Sequence, residues 1–350
     1  MSVEKREFGR LPDGTAVELY TLKNGRGMAA EVLSYGCRLA RLFVPDRNGK
    51  AGNVVLGHDT LGGYATGHDV LGAVIGRFAN RIAGASFRIG AQSFSLVKNE
   101  GENSLHSGPG GFQDRVWRGG AAGEAAVAFC RRSPAGECGF PGNLDAKVTY
   151  ALTDDNALEL TYSARADAET PFNATNHTFF NLTGDARRDI LSVEMQIDAE
   201  QITEADEFLI PTGKFLPVAG TPFDFRTPKA VGRDIGAAEP SLRRCGGYDH
   251  NFVLSGAGFR KAAELYDPAS GRRMQVFTDL PGMQVYTANS FGENVRGCGG
   301  VPLKAHHAVC LETQFFPDSV HHPEFPYKNL KPGTAFQTRT VFRFRFLYGN

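Results

Sequence analysis

Leu144-Asp145-Ala146-Lys147-Val148-Thr149-Tyr150-Ala151-Leu152-Thr153, the break Asp154-Asp155-Asn156, and then Ala157-Leu158-Glu159-Leu160-Thr161-Tyr162 decide the fold class. Leu144, Ala146, Val148, Tyr150 and Leu152 alternate with polar residues, and Leu158, Leu160 and Tyr162 resume the alternation after the break. A period of two with turn chemistry between the two runs predicts a β-hairpin with one buried face. Phe87 and Ile89, then Gly90-Ala91-Gln92, then Phe94 and Leu96 repeat the pattern on a smaller scale. Val193, Met195 and Ile197 form another alternating run. Near the end Phe342, Phe344 and Phe346 alternate with Arg343 and Arg345, which predicts a strand with an aromatic face over the core and a solvated guanidinium face.

No stretch longer than about ten residues keeps a helical period, although Lys229 to Ile235 is compatible with a short helix. The 42 glycines and 18 prolines are dispersed rather than massed in a linker, as many short strands joined by tight turns require. No domain boundary and no internal repeat is visible. The expectation is an all-β chain, a large and mostly antiparallel β-sandwich of two extensive sheets with one continuous core, running as one domain over residues 1–350.

Lys+Arg and Asp+Glu both number 38, and neither sign forms a long run. This charge balance argues against nucleic acid or an anionic membrane as a partner. The first ten residues carry charges of both signs and no signal-peptide core, and no apolar run approaches the ~20 residues of a membrane span, so a cytoplasmic protein is expected. Six scattered cysteines without a Cys-x-x-Cys pair read as free thiols. The glycosylation sequons at Asn173, Asn176 and Asn181 then read as coincidental.

Nucleotide-binding glycine motifs and a Gly-x-Ser-x-Gly turn are absent. The pairs His306-His307 and His321-His322, read as strand neighbours facing opposite ways, do not suggest a chelate, and no metal is expected. What stands out is a set of polar residues in runs that a sandwich would fill with apolar ones. They are Gly76-Arg77-Phe78-Ala79-Asn80-Arg81-Ile82, Asn99-Glu100 to Leu105-His106-Ser107-Gly108, Thr175-Asn176-His177-Thr178, Tyr248-Asp249-His250, Met283-Gln284-Val285-Tyr286 and Leu311-Glu312-Thr313-Gln314. Glu312 follows Val309-Cys310-Leu311, where a carboxylate is costly to bury unless it is bonded or has a chemical task. His177 supplies the complementary proton donor, and the two together can move protons without metal or cofactor. Arg77 and Arg81 each have the plainer reading of tying loops to a carboxylate, and His250 that of a core or supporting histidine.

These runs, with Gly111-Phe112-Gln113-Asp114-Arg115-Val116-Trp117 and Phe316-Pro317-Asp318-Ser319, resemble the aldose 1-epimerases, the galactose mutarotases, in the family's order from the N-terminal third to the tail. The resemblance implies a single galactose mutarotase-like supersandwich. It implies an isomerase that interconverts the α and β anomers of aldoses such as galactose and glucose, with no cofactor, as a monomer or homodimer. By motif, His177 is the acid that protonates the ring oxygen and Glu312 the base at the anomeric hydroxyl. By the same motifs Asn80, Arg81, His106, Asp249 and Gln284 resemble the residues that hold the sugar hydroxyls, while Arg77 is assigned a structural role. The chain departs from the family's common pattern at Ser107, at His68-Asp69-Val70-Leu71 and at Val320-His321. Two alternatives remain open on the residues alone: an epimerase of phosphorylated hexoses, and a non-catalytic sugar-binding module.

Overall fold

In a computed structural model, which describes residues 1–66, 69–292 and 294–346, three large sheets dominate where two were expected, because the N-terminal strands form a five-stranded sheet of their own. His68, part of one departure noted above, lies outside the described residues. The hairpin read at Leu144–Tyr162 is present as strands Leu144–Leu152 and Ala157–Ala166, with Leu152 opposite Leu158 and Leu144 opposite Ala166. It sits inside a nine-stranded sheet, where Ala157–Ala166 pairs with the aromatic strand Phe336–Phe346 and that strand pairs with Arg272–Thr278. Phe342 and Phe344 are buried, whereas Arg343 lies over the Phe277 ring and beside Asp155 and Arg345 is exposed. Each buried aromatic contributes about 1.5–3 kcal/mol through the apolar area it removes from water. Every ladder between neighbouring strands of the nine-stranded sheet is antiparallel.

A six-stranded sheet runs Phe179–Phe180, Val309–Gln314, Gly282–Tyr286, Asp249–Leu254, Ala199–Ala205, Pro211–Pro217 in spatial order. Its two faces do different work, and the period of two assigns them. Val309, Leu311, Met283, Val285 and Phe252 join the same core cluster as Tyr150, Tyr162, Phe342 and Phe344 of the larger sheet. Thr313 reaches across that layer to Thr340 (2.5 Å). Cys310, Glu312, Gln284, Tyr286 and Asp249 therefore occupy the opposite face. The third large sheet, five strands from Ser2–Arg10 to Ala51–Asn53, packs beside it.

Helix is confined to two six-residue segments and short 3-10 turns among the described residues. The helix allowed at Lys229 to Ile235 is instead a two-residue strand, Lys229–Ala230, and a 3-10 turn, Val231–Arg233. Pairing of Lys229 with Met195 on the edge of the nine-stranded sheet outweighs a weak local preference. The small hairpin is Ser86–Ile89 with Gln92–Ser95, so Gln92 belongs to the strand and the turn is Gly90-Ala91. The histidine pairs lie in turns, not strands. Both His321 and His322 face the Asp318 carboxylate, at 2.7 and 3.6 Å, so the opposite-face argument does not hold for them. All six cysteines are free thiols. Asn173, Asn176 and Asn181 are buried and hydrogen-bonded, which leaves no exposed glycosylation acceptor among them.

One turn fixes the approach to the site. Gly72 has φ +68°, donates its N–H to His177 O (2.9 Å), and leaves Leu39 O only 2.2 Å from where a Cβ would stand. Gly72→Ala is expected to cost about 2–4 kcal/mol, from left-handed backbone plus overpacking, read as a lower urea midpoint with an unchanged slope.

Candidate active site

Each polar run of the sequence is delivered to one cleft of about 1060 Å3 by a different piece of backbone. His177 ends the short strand Thr175–His177, which pairs with Ala73–Ile75. Glu312 is in the middle of Val309–Gln314, opposite Gln284. Asp249 opens Asp249–Leu254, opposite Tyr286. Asn80 and Arg81 follow Ala73–Ile75, and Leu105, just before His106, pairs with Arg81.

Glu312 and His177 are 2 % and 5 % exposed. His177 Nε2 stands 3.5 Å from Glu312 Oε1, and Glu312 Oε2 is buried with no hydrogen-bond partner among the described residues. An orphaned buried carboxylate oxygen costs free energy that a substrate hydroxyl can recover. The His177 ring stacks on Phe179 (4.9 Å between centroids), with the edges of His106 (5.3 Å) and Tyr286 (6.1 Å) against it and Cys310 Sγ 3.5 Å from Nδ1. These contacts leave Nε2 facing Glu312.

Burial sets the electrostatics. It pushes Glu312 well above the usual carboxylate range, helped by the Asp249 charge and opposed by Arg81. It pushes His177 down to about 4; its own backbone carbonyl, as a hydrogen-bond acceptor, and the Asp69 charge pull the other way, and Arg38 adds to the depression. Both members are thus driven toward their neutral forms. Asp249 is also raised, mainly by burial.

The surrounding groups are fixed by reciprocal bonds. His106 donates its backbone N–H to Asn80 O (2.9 Å) and Asn80 N–H donates to His106 Nδ1 (3.1 Å). Both residues have positive φ, +54° and +62°, a conformation costing about 1–3 kcal/mol each that persists where the surroundings enforce it. Because Nδ1 accepts, the proton of neutral His106 is on Nε2, and burial holds the ring well below its ordinary pKa. Arg81 grips Glu100 through Nε (2.6 Å) and Nη2 (2.7 Å), so it ties a loop to a carboxylate, as its plainer reading has it, and it also lines the cleft. Gln284 donates Nε2 to Asp249 Oδ1 (2.7 Å) and lines a smaller cavity of about 200 Å3 behind that carboxylate rather than the main cleft. Arg77 is structural: it spends its guanidinium on Ser133 and the carbonyls of Ser133, Pro134 and Pro141. His250 supports Asp249, accepting its backbone N–H at Nδ1 (3.0 Å).

His106, His177 and Glu312 bring one ligand atom each within 4.8 Å of one another, a spacing that suits a metal ion. The hydrogen bonding is a poor fit. Ligation through His106 Nε2 requires the proton to move to Nδ1, where it meets the Asn80 N–H. Sequence reasoning passed over Phe179, Tyr286, Cys310 and Glu100 as site residues. The first three lie two positions from His177, Gln284 and Glu312, so the same-face rule for strands points to them; Glu100 needed the tertiary fold.

The family model described as aldose 1-epimerase matches residues 18–343. The chain is 40% identical to the galactose mutarotase of Bos taurus over 346 residues, 98% of this chain and 99% of the relative. It is 36% identical to the aldose 1-epimerase of Escherichia coli (strain K12) over 337 residues, covering 95% and 96%. A crystal structure of galactose 1-epimerase from Lactobacillus acidophilus NCFM superposes with TM-score 0.87 at 28% identity, covering 99% of both chains. On fold, polar cleft and full-length similarity together, the chain belongs to the aldose 1-epimerase family.

Proposed function

We propose that this cleft interconverts the α and β anomers of aldohexoses such as galactose and glucose, with Glu312 as base and His177 as acid. The observation that carries the reading is the buried pair itself, a carboxylate and an imidazole 3.5 Å apart with an unpartnered Glu312 oxygen. Glu312 takes the proton from O1–H, the C1–O5 bond breaks with its electron pair going to O5, and His177 Nε2 delivers a proton to O5. The open aldehyde turns about C1–C2. His177 then takes the proton back from O5–H as O5 attacks the other face of C1, and Glu312 returns its proton to O1.

Ring opening converts the ion pair, carboxylate and imidazolium, into the neutral pair, and ring closure converts it back. Burial that raises Glu312 and lowers His177 favours the neutral pair, so it stabilises the protein side of the open-chain intermediate. Neither end of the step changes the net charge of the cleft. Asn80, Arg81, His106 and Asp249 hold the hydroxyls, with His106 donating from Nε2 and Gln284 fixing the Asp249 carboxylate.

The pair titrates as a unit. kcat/KM is expected to fall below about 4 as a second proton is added, the value to which burial lowers His177. It falls again on the high-pH side, above the usual carboxylate range, as Glu312 loses its proton. The Asp249 charge raises Glu312, so Asp249→Asn should move this high-pH limb to lower pH. An unmoved limb in a pH–rate profile corrected for spontaneous rotation contradicts this.

Polarimetry on freshly dissolved α-galactose, α-glucose, xylose, arabinose and glucose 6-phosphate tests the function. Faster relaxation of the free sugars supports it. Acceleration of the phosphate alone indicates the phosphorylated-hexose reading, and binding without acceleration indicates a sugar-binding module.

A further inference from the structure

The acid/base pair occupies only part of the cleft, whose wall also includes His58, Asp69 and Phe291. His58 is 7 % exposed. Its Nδ1 faces the Arg296 carbonyl (2.8 Å) and its Nε2 both oxygens of Asp69 (3.0 and 3.2 Å). A carbonyl and a carboxylate only accept, so both ring nitrogens carry hydrogen and His58 is an imidazolium. Burial opposes that charge, but the Asp69 bond prevails and the pKa is raised. Tyr64 packs edge-on against the ring (5.0 Å between centroids), and its hydroxyl accepts the His58 backbone N–H (2.9 Å).

Asp69 is consequently an oriented carboxylate on the cleft wall. One N–H serves both its oxygens, and His58 is its one hydrogen-bonding side chain among the described residues. Lone pairs remain available to a ligand. The backbone places it beside the acid: Val70 O accepts from Ala73 N–H (2.9 Å), Gly72 N–H donates to His177 O (2.9 Å), and Ala73 pairs with His177. The Asp69 charge acts on His177, whereas the Asp249 charge acts on Glu312. Asp249 is bonded by Gln284, which pairs with Glu312, whereas Asp69 precedes the Ala73 strand that pairs with His177, so the two carboxylates flank opposite ends of the reacting pair.

We propose that Asp69, clamped by His58, accepts a hydrogen bond from the exocyclic C6 hydroxyl of the aldose and sets a preference for hexoses over pentoses. This rests on the proposed roles of Glu312 at O1 and His177 at O5. In a pyranose, C5 adjoins O5 on the side away from C1, so the C6 hydroxymethyl group projects past His177, away from Glu312 and toward Asp69.

D-Xylose is D-glucose without C6, and 6-deoxy-D-glucose lacks only the C6 hydroxyl. The ratio of kcat/KM for glucose to that for xylose is expected to fall roughly 10- to 100-fold in Asp69→Asn and Asp69→Ala, the span of a hydrogen bond to a charged acceptor. With the unaltered protein, 6-deoxy-D-glucose should show the same deficit against glucose, a measurement free of any folding defect. That deficit should shrink in Asp69→Asn. An unchanged glucose-to-xylose ratio, or a 6-deoxy sugar turned over like glucose, overturns the inference while leaving the function intact. No acceleration of any aldose by the unaltered protein overturns the function and this inference with it.

Discussion

Glu312→Gln is expected to slow anomer interconversion by about 10³-fold, roughly 4 kcal/mol of lost transition-state stabilisation. The glutamine keeps the shape of the side chain but cannot take the proton from O1. The fold should survive, because the change removes a buried carboxylate whose Oε2 is unpartnered. The melting temperature should hold or rise, since groups kept for chemistry are often destabilising. Measured by polarimetry at saturating sugar, the loss should fall on kcat more than on KM. A variant as fast as the unaltered protein removes Glu312 from the mechanism.

His177→Asn should have an effect of similar size, because an asparagine amide has no proton to give O5 at any accessible pH. Its structural consequence differs. The imidazole is packed against Phe179, His106 and Tyr286, so its removal leaves a gap and costs about 1–2 kcal/mol of stability. Circular dichroism and a thermal melt separate that cost from the chemical one. Because acid and base act in one concerted exchange, the double variant should be little slower than the slower single variant. Losses that multiply indicate two independent roles.

The hairpin at Leu144–Tyr162 was legible because its period of two runs through two adjacent strands, each with one face on the core. The site was legible for the converse reason. Glu312 and His177 break the apolar pattern of buried strands, and the ordered motifs around them resemble one family. What local sequence did not carry was pairing. Nothing near Lys229 announces Met195 as its partner, so a short helix was expected where an edge strand forms. The Arg81–Glu100 fork, the His58–Asp69 clamp and the shared Asp318 of His321 and His322 likewise join residues whose relation is set by tertiary folding. Where the rule of alternate faces was available it pointed to the cleft for Tyr286 and Phe179, and to the His177 ring for Cys310.

The buried acid/base pair is expected to open and reclose an aldose ring without altering any C–H bond. Exchange NMR on D-galactose at anomeric equilibrium reads this directly, since the two anomeric protons resonate separately. Expected are α-to-β exchange cross peaks whose build-up rate rises linearly with protein concentration, with the anomeric protons retained in deuterated water and the effect lost in Glu312→Gln. Exchange no faster than in buffer alone contradicts it.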